Sequence, residues 1–274
     1  MNDTTRSTQV EIEIEAPPAA VWRALTDASE LTRWFPLDAR VEPGTGGKIF
    51  LSWGEAFAGE VRIDIWEPGQ RLRAIDSRRA ADGSVVEIAT DYHIEARGGG
   101  TVLRVVQSGF GRGADWDAEY DAVSRGWTFE LRSLRHYLER HRGKDRRVAW
   151  VNVTTSLPSE KIHSLVLGPD MLAHEGTVEG LREGDPYRLV TATGEVLEGT
   201  VLINRPPTDF AGTVRGMNDA LLRYVHEVGY VWIWLSTYGV GEASVEAFRE
   251  RWRERLERVV GEAATSASSG AGRR

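Results

Sequence analysis

One short segment of the sequence places a carboxylate and an imidazole at a spacing that suits acid–base chemistry. Asp91 and His93 are two residues apart in a stretch that alternates apolar and polar residues. On a β-strand their side chains therefore project from the same face. A carboxylate beside an imidazole can orient the ring as a general base. If this face lines a cavity, His93 can act as a general base oriented by Asp91; if it faces solvent, the pair is an ordinary polar strand face.

Other titratable residues are weaker candidates for ligand or metal binding. Arg104 either binds a ligand carboxylate or, as we expect, forms an ion pair across neighbouring strands. None of the six histidines has the H-x-x-x-H spacing that places two imidazoles on one helical face. His136 and His141 are five residues apart, or about 500° around an α-helix, so we expect them to face apart. We therefore predict no metal and no cofactor.

The motifs of several enzyme classes are missing from the sequence. It contains no G-x-S-x-G, no P-loop and no dinucleotide-binding glycine pattern followed by an acidic residue. It also contains no cysteine, which excludes a thiol nucleophile, disulfides and cysteine-ligated metals. Catalysis is therefore the less favoured interpretation of this chain.

Composition restricts the possible partners and the location. The 274 residues carry a formal charge of −7, which argues against a general nucleic-acid-binding protein. No apolar run approaches the length of a membrane-spanning helix, and the N-terminus lacks a signal-peptide pattern, so we expect a cytoplasmic protein. Ten tryptophans indicate a core or a cavity with broad aromatic walls.

The elements that must position these residues occur twice. Pro17 and Pro158 each follow an alternating, strand-like stretch and precede a helical one, and each half of the chain closes with an amphipathic helix. We predict a domain over residues 1–143, a diverged second domain over residues 147–261 and a disordered tail over residues 262–274.

The first half is predicted to contain a strand, two short helices, a run of strands with short connections, and a long helix over residues 115–142. Ser29 is expected to cap the second short helix, Glu30–Phe35. Short connections favour antiparallel neighbours. The predicted strands are Thr8–Glu15, Ala39–Glu42, Lys48–Trp53, Gly59–Trp66, Arg71–Asp76, Val85–Glu95 and Thr101–Gln107.

A set of ordered motifs in residues 8–142 resembles one superfamily. The motifs are A16-P17 with V21-W22-R23-A24-L25-T26-D27, L31 with W34-F35, G44 with G46-G47, G99-G100-T101-V102-L103, G109-F110, and G126-W127 with L131, L134 and Y137-L138. The pattern is similar to the START-like (SRPBCC) superfamily, and within it to homologues of the C-terminal domain of the heat-shock-protein-90 ATPase activator. The second half resembles the superfamily only in outline and has no clear equivalent of W34-F35 or G126-W127.

The resemblance implies an α+β architecture of tandem helix-grip domains. In each, a curved antiparallel sheet, seven-stranded in this superfamily, wraps around a long C-terminal helix, and two small helices close one end. A cavity between sheet and helix suits a small apolar or amphipathic ligand, and this is the expected function. The alternatives are a co-chaperone-like module that contacts a chaperone, or a cyclase-like or hydrolase-like enzyme that uses His93 and Asp91 in the same cavity.

Aromatic and apolar side chains are the candidates for ligand contact. Trp34 and Phe35 form either a lid over the cavity or plugs in the core, and Trp127 lies either in the cavity wall or in the core. Gly126 is unusual inside a helix and suggests a close helix–sheet approach or a ligand contact. The full set is Trp34, Phe35, Trp53, Tyr92, Trp116, Tyr120, Trp127 and Leu131.

Overall fold

The computed structural model describes residues 5–54, 57–79, 84–112, 114–227 and 229–271. Within it the chain divides into two units, Met1–Lys144 and Asp145–Arg274. Each unit contains one antiparallel sheet and its own helices.

Seven strands form the sheet of the first unit, in the spatial order β1-β7-β6-β5-β4-β3-β2. Strands β2 to β7 are joined by short turns, which explains why each pairs with its neighbour in sequence. Strands β1 and β2 lie at opposite edges, so the chain between them must cross one end of the sheet. The strands are β1 (Thr5–Ile14), β2 (Asp38–Glu42), β3 (Lys48–Ser52), β4 (Ala58–Glu67), β5 (Arg71–Arg79), β6 (Val85–Arg97) and β7 (Gly100–Gly111).

Two short helices make this crossing, α1 (Pro18–Thr26) and α2 (Ala28–Leu31). Proline at the first position of α1 is tolerated because that position needs no N–H donor. The cap of α2 is Asp27, whose carboxylate accepts hydrogen bonds from the backbone N–H groups of Ser29 and Glu30. The expectation that Ser29 is the cap was wrong, because Asp27 lies one position before the helix, where a side-chain acceptor reaches the first free donors.

A long helix, α3 (Ala114–His136), lies on one face of this sheet and packs against β1 and β7. We call this the inner face. The Ser124 hydroxyl donates to the Thr8 hydroxyl at 2.9 Å. On β7, Leu103 and Val105 are buried while Arg104 between them is exposed, as alternation along a strand requires. The helix continues into a π-helical turn, Tyr137–His141.

The second unit repeats this plan with one strand fewer. Its sheet has the order β8-β13-β12-β11-β10-β9, with every pair antiparallel. The seven strands implied by the resemblance are therefore present in the first unit, whereas the second sheet has six. The strands are β8 (Arg146–Thr154), β9 (Pro186–Val190), β10 (Val196–Arg205), β11 (Asp209–Val214), β12 (Ala220–Glu227) and β13 (Tyr230–Tyr238).

Two helices complete the second unit, α4 (Ser159–Val166) and α5 (Glu242–Ala271), and α5 packs against β8 as α3 packs against β1. The helix runs ten residues past the end predicted for the domain, so the expectation of a structureless tail from residue 262 was wrong for residues 262–271. Alanines are frequent there and favour helix. The α+β class and the tandem helix-grip architecture are confirmed.

Candidate functional site

Four aromatic side chains meet on the inner face of the first sheet. Phe35 contacts Trp53 with ring centroids 5.0 Å apart and Trp127 at 5.9 Å, and Tyr92 contacts Trp127 edge-on at 5.6 Å. Four parts of the chain contribute: the segment after α2, the segment after β3, strand β6 and helix α3. All four side chains remain only partly buried. We call Phe35, Trp53, Tyr92 and Trp127 the aromatic group.

Trp34, although adjacent to Phe35, has a different environment. It is only 1% exposed, and its indole N–H donates to the Ala24 carbonyl at 2.8 Å. The Ser133 hydroxyl donates to the Trp34 carbonyl at 2.9 Å, which ties α3 to this segment. Trp34 therefore occupies the core, and it supports the stacked ring of Phe35 at a centroid distance of 4.9 Å.

One hydrogen bond orients the aromatic group, and its tyrosine adds a polar hydroxyl. The indole N–H of Trp127 donates to the side-chain oxygen of Gln107 on β7 at 2.6 Å. This bond holds the ring across the inner face. Burial raises the pKa of Tyr92, so the phenol stays protonated at neutral pH and can donate a hydrogen bond.

The other predicted contact residues lie apart from the aromatic group. Trp116 and Tyr120, near the start of α3, both contact Phe110 edge-on. The Tyr120 hydroxyl donates to the Ser7 carbonyl at 3.0 Å, so this ring anchors α3 to β1. Leu131 is 1% exposed and belongs to the core.

Gly126 does not mark a close helix–sheet approach. A Cβ atom built there meets no heavy atom within 4 Å among the described residues. Gly126 lies seven residues, about two turns, before Ser133 and therefore shares its side of α3. Ser133 contacts the segment that carries Trp34 and Phe35. The expectation of close approach was wrong, and this flank of the helix has free space.

Asp91 and His93 lie on the opposite face of the sheet from the aromatic group. Tyr92, between them, points to Trp127, so its two neighbours must point away. Asp91 accepts two hydrogen bonds from Arg71, at 2.9 Å and 2.7 Å, and His93 Nε2 lies 3.2 Å from the same carboxylate. Burial raises the pKa of Asp91, but the Arg71 hydrogen bonds and the nearby positive charges lower it to a net value below the ordinary range. The hypothesis of a catalytic pair inside the helix-grip cavity is therefore wrong.

Arg104 also lies on this outer face, directly opposite Glu11 on β1 and His93 on β6. Among the described residues it has no ion pair within 4 Å, so the expected cross-strand ion pair was wrong. Cross-strand register brings the two backbones together, but long exposed side chains gain little from pairing in water.

The π-helical turn brings together two histidines that the sequence analysis separated. His136 and His141 have ring centroids 5.0 Å apart. The expectation that they face apart assumed regular α-helical geometry. A π-turn has i→i+5 hydrogen bonds and aligns residues five apart. Among the described residues, no group of three or more side chains suited to a metal ion is found.

The inner face of the second unit is filled by its own side chains. Trp252, Phe210 and Tyr224 are all fully buried there. The Trp252 indole N–H donates to Glu195 at 3.2 Å, and Arg251 donates to the same carboxylate at 2.7 Å and 3.0 Å.

Glu195 lies in the turn between β9 and β10, and its side chain is only 7% exposed. The hydroxyls of Thr191 and Thr193 also donate to it. Burial raises the pKa of Glu195, but the hydrogen bonds from threonines, arginine and tryptophan lower it to a net value below the ordinary range. This hydrogen-bond network ties the turn to α5. No motif or spacing in the sequence predicts the network.

A search for helices long and apolar enough to cross a membrane found none in the described parts of the chain.

Comparison with known proteins gives one family match. Residues 15–139 match the model of the family described as Activator of Hsp90 ATPase homolog 1-like protein. The match includes α1, α2, six whole strands and the whole of α3. No curated protein matches the chain.

Several solved structures are similar at low sequence identity. The Aha1 dimer from Colwellia psychrerythraea has 18% identity and a TM-score of 0.44, over 50% of this chain and 99% of that one. The di-domain ARO/CYC BexL from the BE-7585A biosynthetic pathway has 16% identity and a TM-score of 0.44, over 93% and 96%. DynU16, a putative protein in the dynemicin biosynthetic locus, has 18% identity and a TM-score of 0.42, over 93% and 95%.

The family match and the fold agree on the first unit. Its seven antiparallel strands, two end helices and long closing helix are the parts that the sequence resemblance implies. Residues 15–139 are therefore similar to the Activator of Hsp90 ATPase homolog 1-like protein family in sequence, and the unit that contains them has the fold that this similarity implies.

Proposed function

We propose that the first unit binds a small apolar or amphipathic molecule between its sheet and α3. The observation that carries this proposal is the incomplete burial of the aromatic group, Phe35, Trp53, Tyr92 and Trp127, on a face that a helix covers. Exposed apolar surface costs about 25 cal/mol per Å² relative to burial. Four large rings held in place by their mutual contacts and by the Trp127–Gln107 bond therefore form a surface that a ligand would stabilise.

The chemistry of the group suits a ligand that is mostly apolar with a polar end. Edge-on and tilted rings present apolar walls in several directions. The protonated Tyr92 phenol supplies a hydrogen-bond donor. The free flank at Gly126 supplies space beside Phe35.

Two measurements test the proposal. Native mass spectrometry of the purified chain should show a small molecule bound to it, and an apolar fluorescent dye should bind and be displaced by that molecule. Phe35→Leu and Trp127→Leu should each weaken dye binding about tenfold, or about 1.4 kcal/mol.

The matched control is Phe50→Leu. Phe50 is also partly buried in the first unit, but its neighbour is Arg40, which lies directly opposite it on β2. The Arg40 guanidinium lies over the Phe50 ring, 4.1 Å from the ring centroid. This variant should bind the dye as the unchanged protein does. Equal losses in all three variants would assign the dye to general surface binding and refute the proposal.

The family match supports a second candidate, a co-chaperone-like role toward an Hsp90-type ATPase. The test is ATP turnover by such a chaperone with and without the protein at equal concentration. Stimulation that Phe35→Leu and Trp127→Leu leave unchanged would favour this role over the ligand-binding one. No stimulation at saturating protein would refute it.

A further inference from the structure

A second cleft lies on the outer face of the first sheet, away from the aromatic group. Its volume is about 340 Å³, within the range of small-molecule sites. The residues that line it are Glu11, Glu67, Gln70, Arg71, His93, Ile94, Glu95, Val102 and Arg104. Strands β1, β7, β6, β5 and β4 all contribute to it.

Strand register arranges the charges of this cleft in a row. Glu11 lies opposite Arg104, Arg104 opposite His93, His93 opposite Arg71, and Arg71 opposite Glu67. Adjacent strands are about 4.8 Å apart, so neighbours in the row are within reach of one small ligand. The row reads acidic, basic, imidazole, basic, acidic.

The ion pairs already present decide which of these charges are available. Arg71 is bound to Asp91 through two hydrogen bonds. Among the described residues, Arg104, Glu11, Glu67 and Glu95 have no ion pair within 4 Å. Glu67 faces Arg71 and interacts with its charge, so the cleft holds one guanidinium, Arg104, and two carboxylates, Glu11 and Glu95, that are not neutralised. Below them, Val102, which shares the outer face with Arg104, is buried and forms an apolar floor.

Unpaired charges of both signs beside each other suit a ligand that carries both. An arginine binds a carboxylate through two parallel hydrogen bonds, and carboxylates bind an ammonium group. Glu11 is directly across from Arg104, and Glu95 is two residues from His93 on the same face. The short separation matches a ligand whose carboxylate and ammonium groups are attached to the same carbon atom.

We propose that this outer cleft is a binding site for a small zwitterion, of the α-amino acid class. Arg104 binds the carboxylate and Glu11 or Glu95 the ammonium group, over the apolar floor. The site is on the opposite face of the sheet from the aromatic group and does not depend on the function proposed for that group.

The test is an NMR titration of the ¹⁵N-labelled full chain with L-alanine at constant ionic strength. Saturable shifts of the backbone amides around Arg104, His93 and Glu11 are expected below about 100 mM. Acetate and methylammonium, each carrying one of the two charges, should bind at least tenfold more weakly. Arg104→Gln should weaken L-alanine binding at least tenfold, because it removes the carboxylate ligand.

Arg62→Gln is the control, since Arg62 is an exposed arginine on β4 that does not line the cleft. It should bind L-alanine normally. The absence of saturable shifts with L-alanine, or unchanged affinity in Arg104→Gln, would overturn the proposal. Methylammonium binding as tightly as L-alanine would also overturn it, because the site would then recognise a cation alone.

Discussion

Truncating one tryptophan in each unit should have unequal costs, because the two units use their inner faces differently. Trp252 is fully buried and bonded to Glu195, so Trp252→Ala removes a whole buried ring and one donor to a buried carboxylate. Buried aromatic-to-alanine changes cost about 3–5 kcal/mol, and we expect the upper end here. Trp127 is partly exposed and loses mainly its bond to Gln107 and part of its apolar burial. We expect about 2 kcal/mol for Trp127→Ala.

Hydrogen exchange read by mass spectrometry is the suitable assay, since it reports the opening free energy of each unit separately. A single denaturation midpoint would mix two units that need not unfold together. Trp252→Ala should lower protection in β13 and α5, and Trp127→Ala should lower it less in β6 and β7. Equal losses of about 4 kcal/mol in both variants would show that Trp127 is fully packed, and the reasoning for an open inner face in the first unit would fail.

Three further predictions concern single positions. Gly126→Ala should stabilise the first unit by up to about 1 kcal/mol in the same exchange assay, because a Cβ there meets no described atom and alanine favours helix; destabilisation would show a hidden contact. The lowered pKa of Glu195 means that its carboxylate stabilises the fold above the ordinary glutamate pKa and loses this effect as pH falls through the folded value. Glu195→Gln should therefore show less exchange protection in α5 than the unchanged chain at pH 7, and a smaller loss of stability between about pH 5 and pH 3. Arg71 and Asp91 form a partly exposed pair, so a double-mutant cycle with Arg71→Gln and Asp91→Asn should give a coupling of about 1 kcal/mol, and a zero value would make the pair incidental.

Much of the fold follows from local patterns in the sequence. Strands such as β1 alternate apolar and polar residues because one face is covered and the other is not. In strand β12, by contrast, seven of the eight residues are buried, so the apolar–polar alternation that marks a strand in the sequence is lost. The end of α5 was missed because the sequence from 262 onward is small and polar, although its alanines favour helix.

The neighbours of Asp91 and His93 in the sequence predict which face of the sheet the two side chains occupy. Ile88, Tyr92 and Ile94 are apolar and share the opposite face of β6, so the apolar face is the one that α3 covers. The sequence therefore contained the signal that assigns this pair to the outer face.

Two features of the structure are not predicted by any local sequence pattern. The approach of His136 and His141 depends on one π-helical turn, and nothing in the sequence of Tyr137–His141 marks it. The role of Glu195 depends on contacts with Arg251 and Trp252 more than fifty residues away. Such contacts depend on how the helix packs on the sheet. The pattern of residues along one strand does not predict that packing.

Removing a bound molecule should change the stability of only one unit. A ligand that binds the folded state alone stabilises it by about 2.7 kcal/mol at a hundred times its dissociation constant. In the first unit, a ligand would cover the exposed surface of the aromatic group, whereas the inner face of the second unit is already filled by Trp252, Phe210 and Tyr224. Extraction of the small molecule should therefore lower exchange protection in β6, β7 and α3 and leave β12, β13 and α5 unchanged, and adding it back should restore the first unit. If mass spectrometry shows that the molecule has left while protection falls in the second unit instead, the site is not on the inner face of the first sheet.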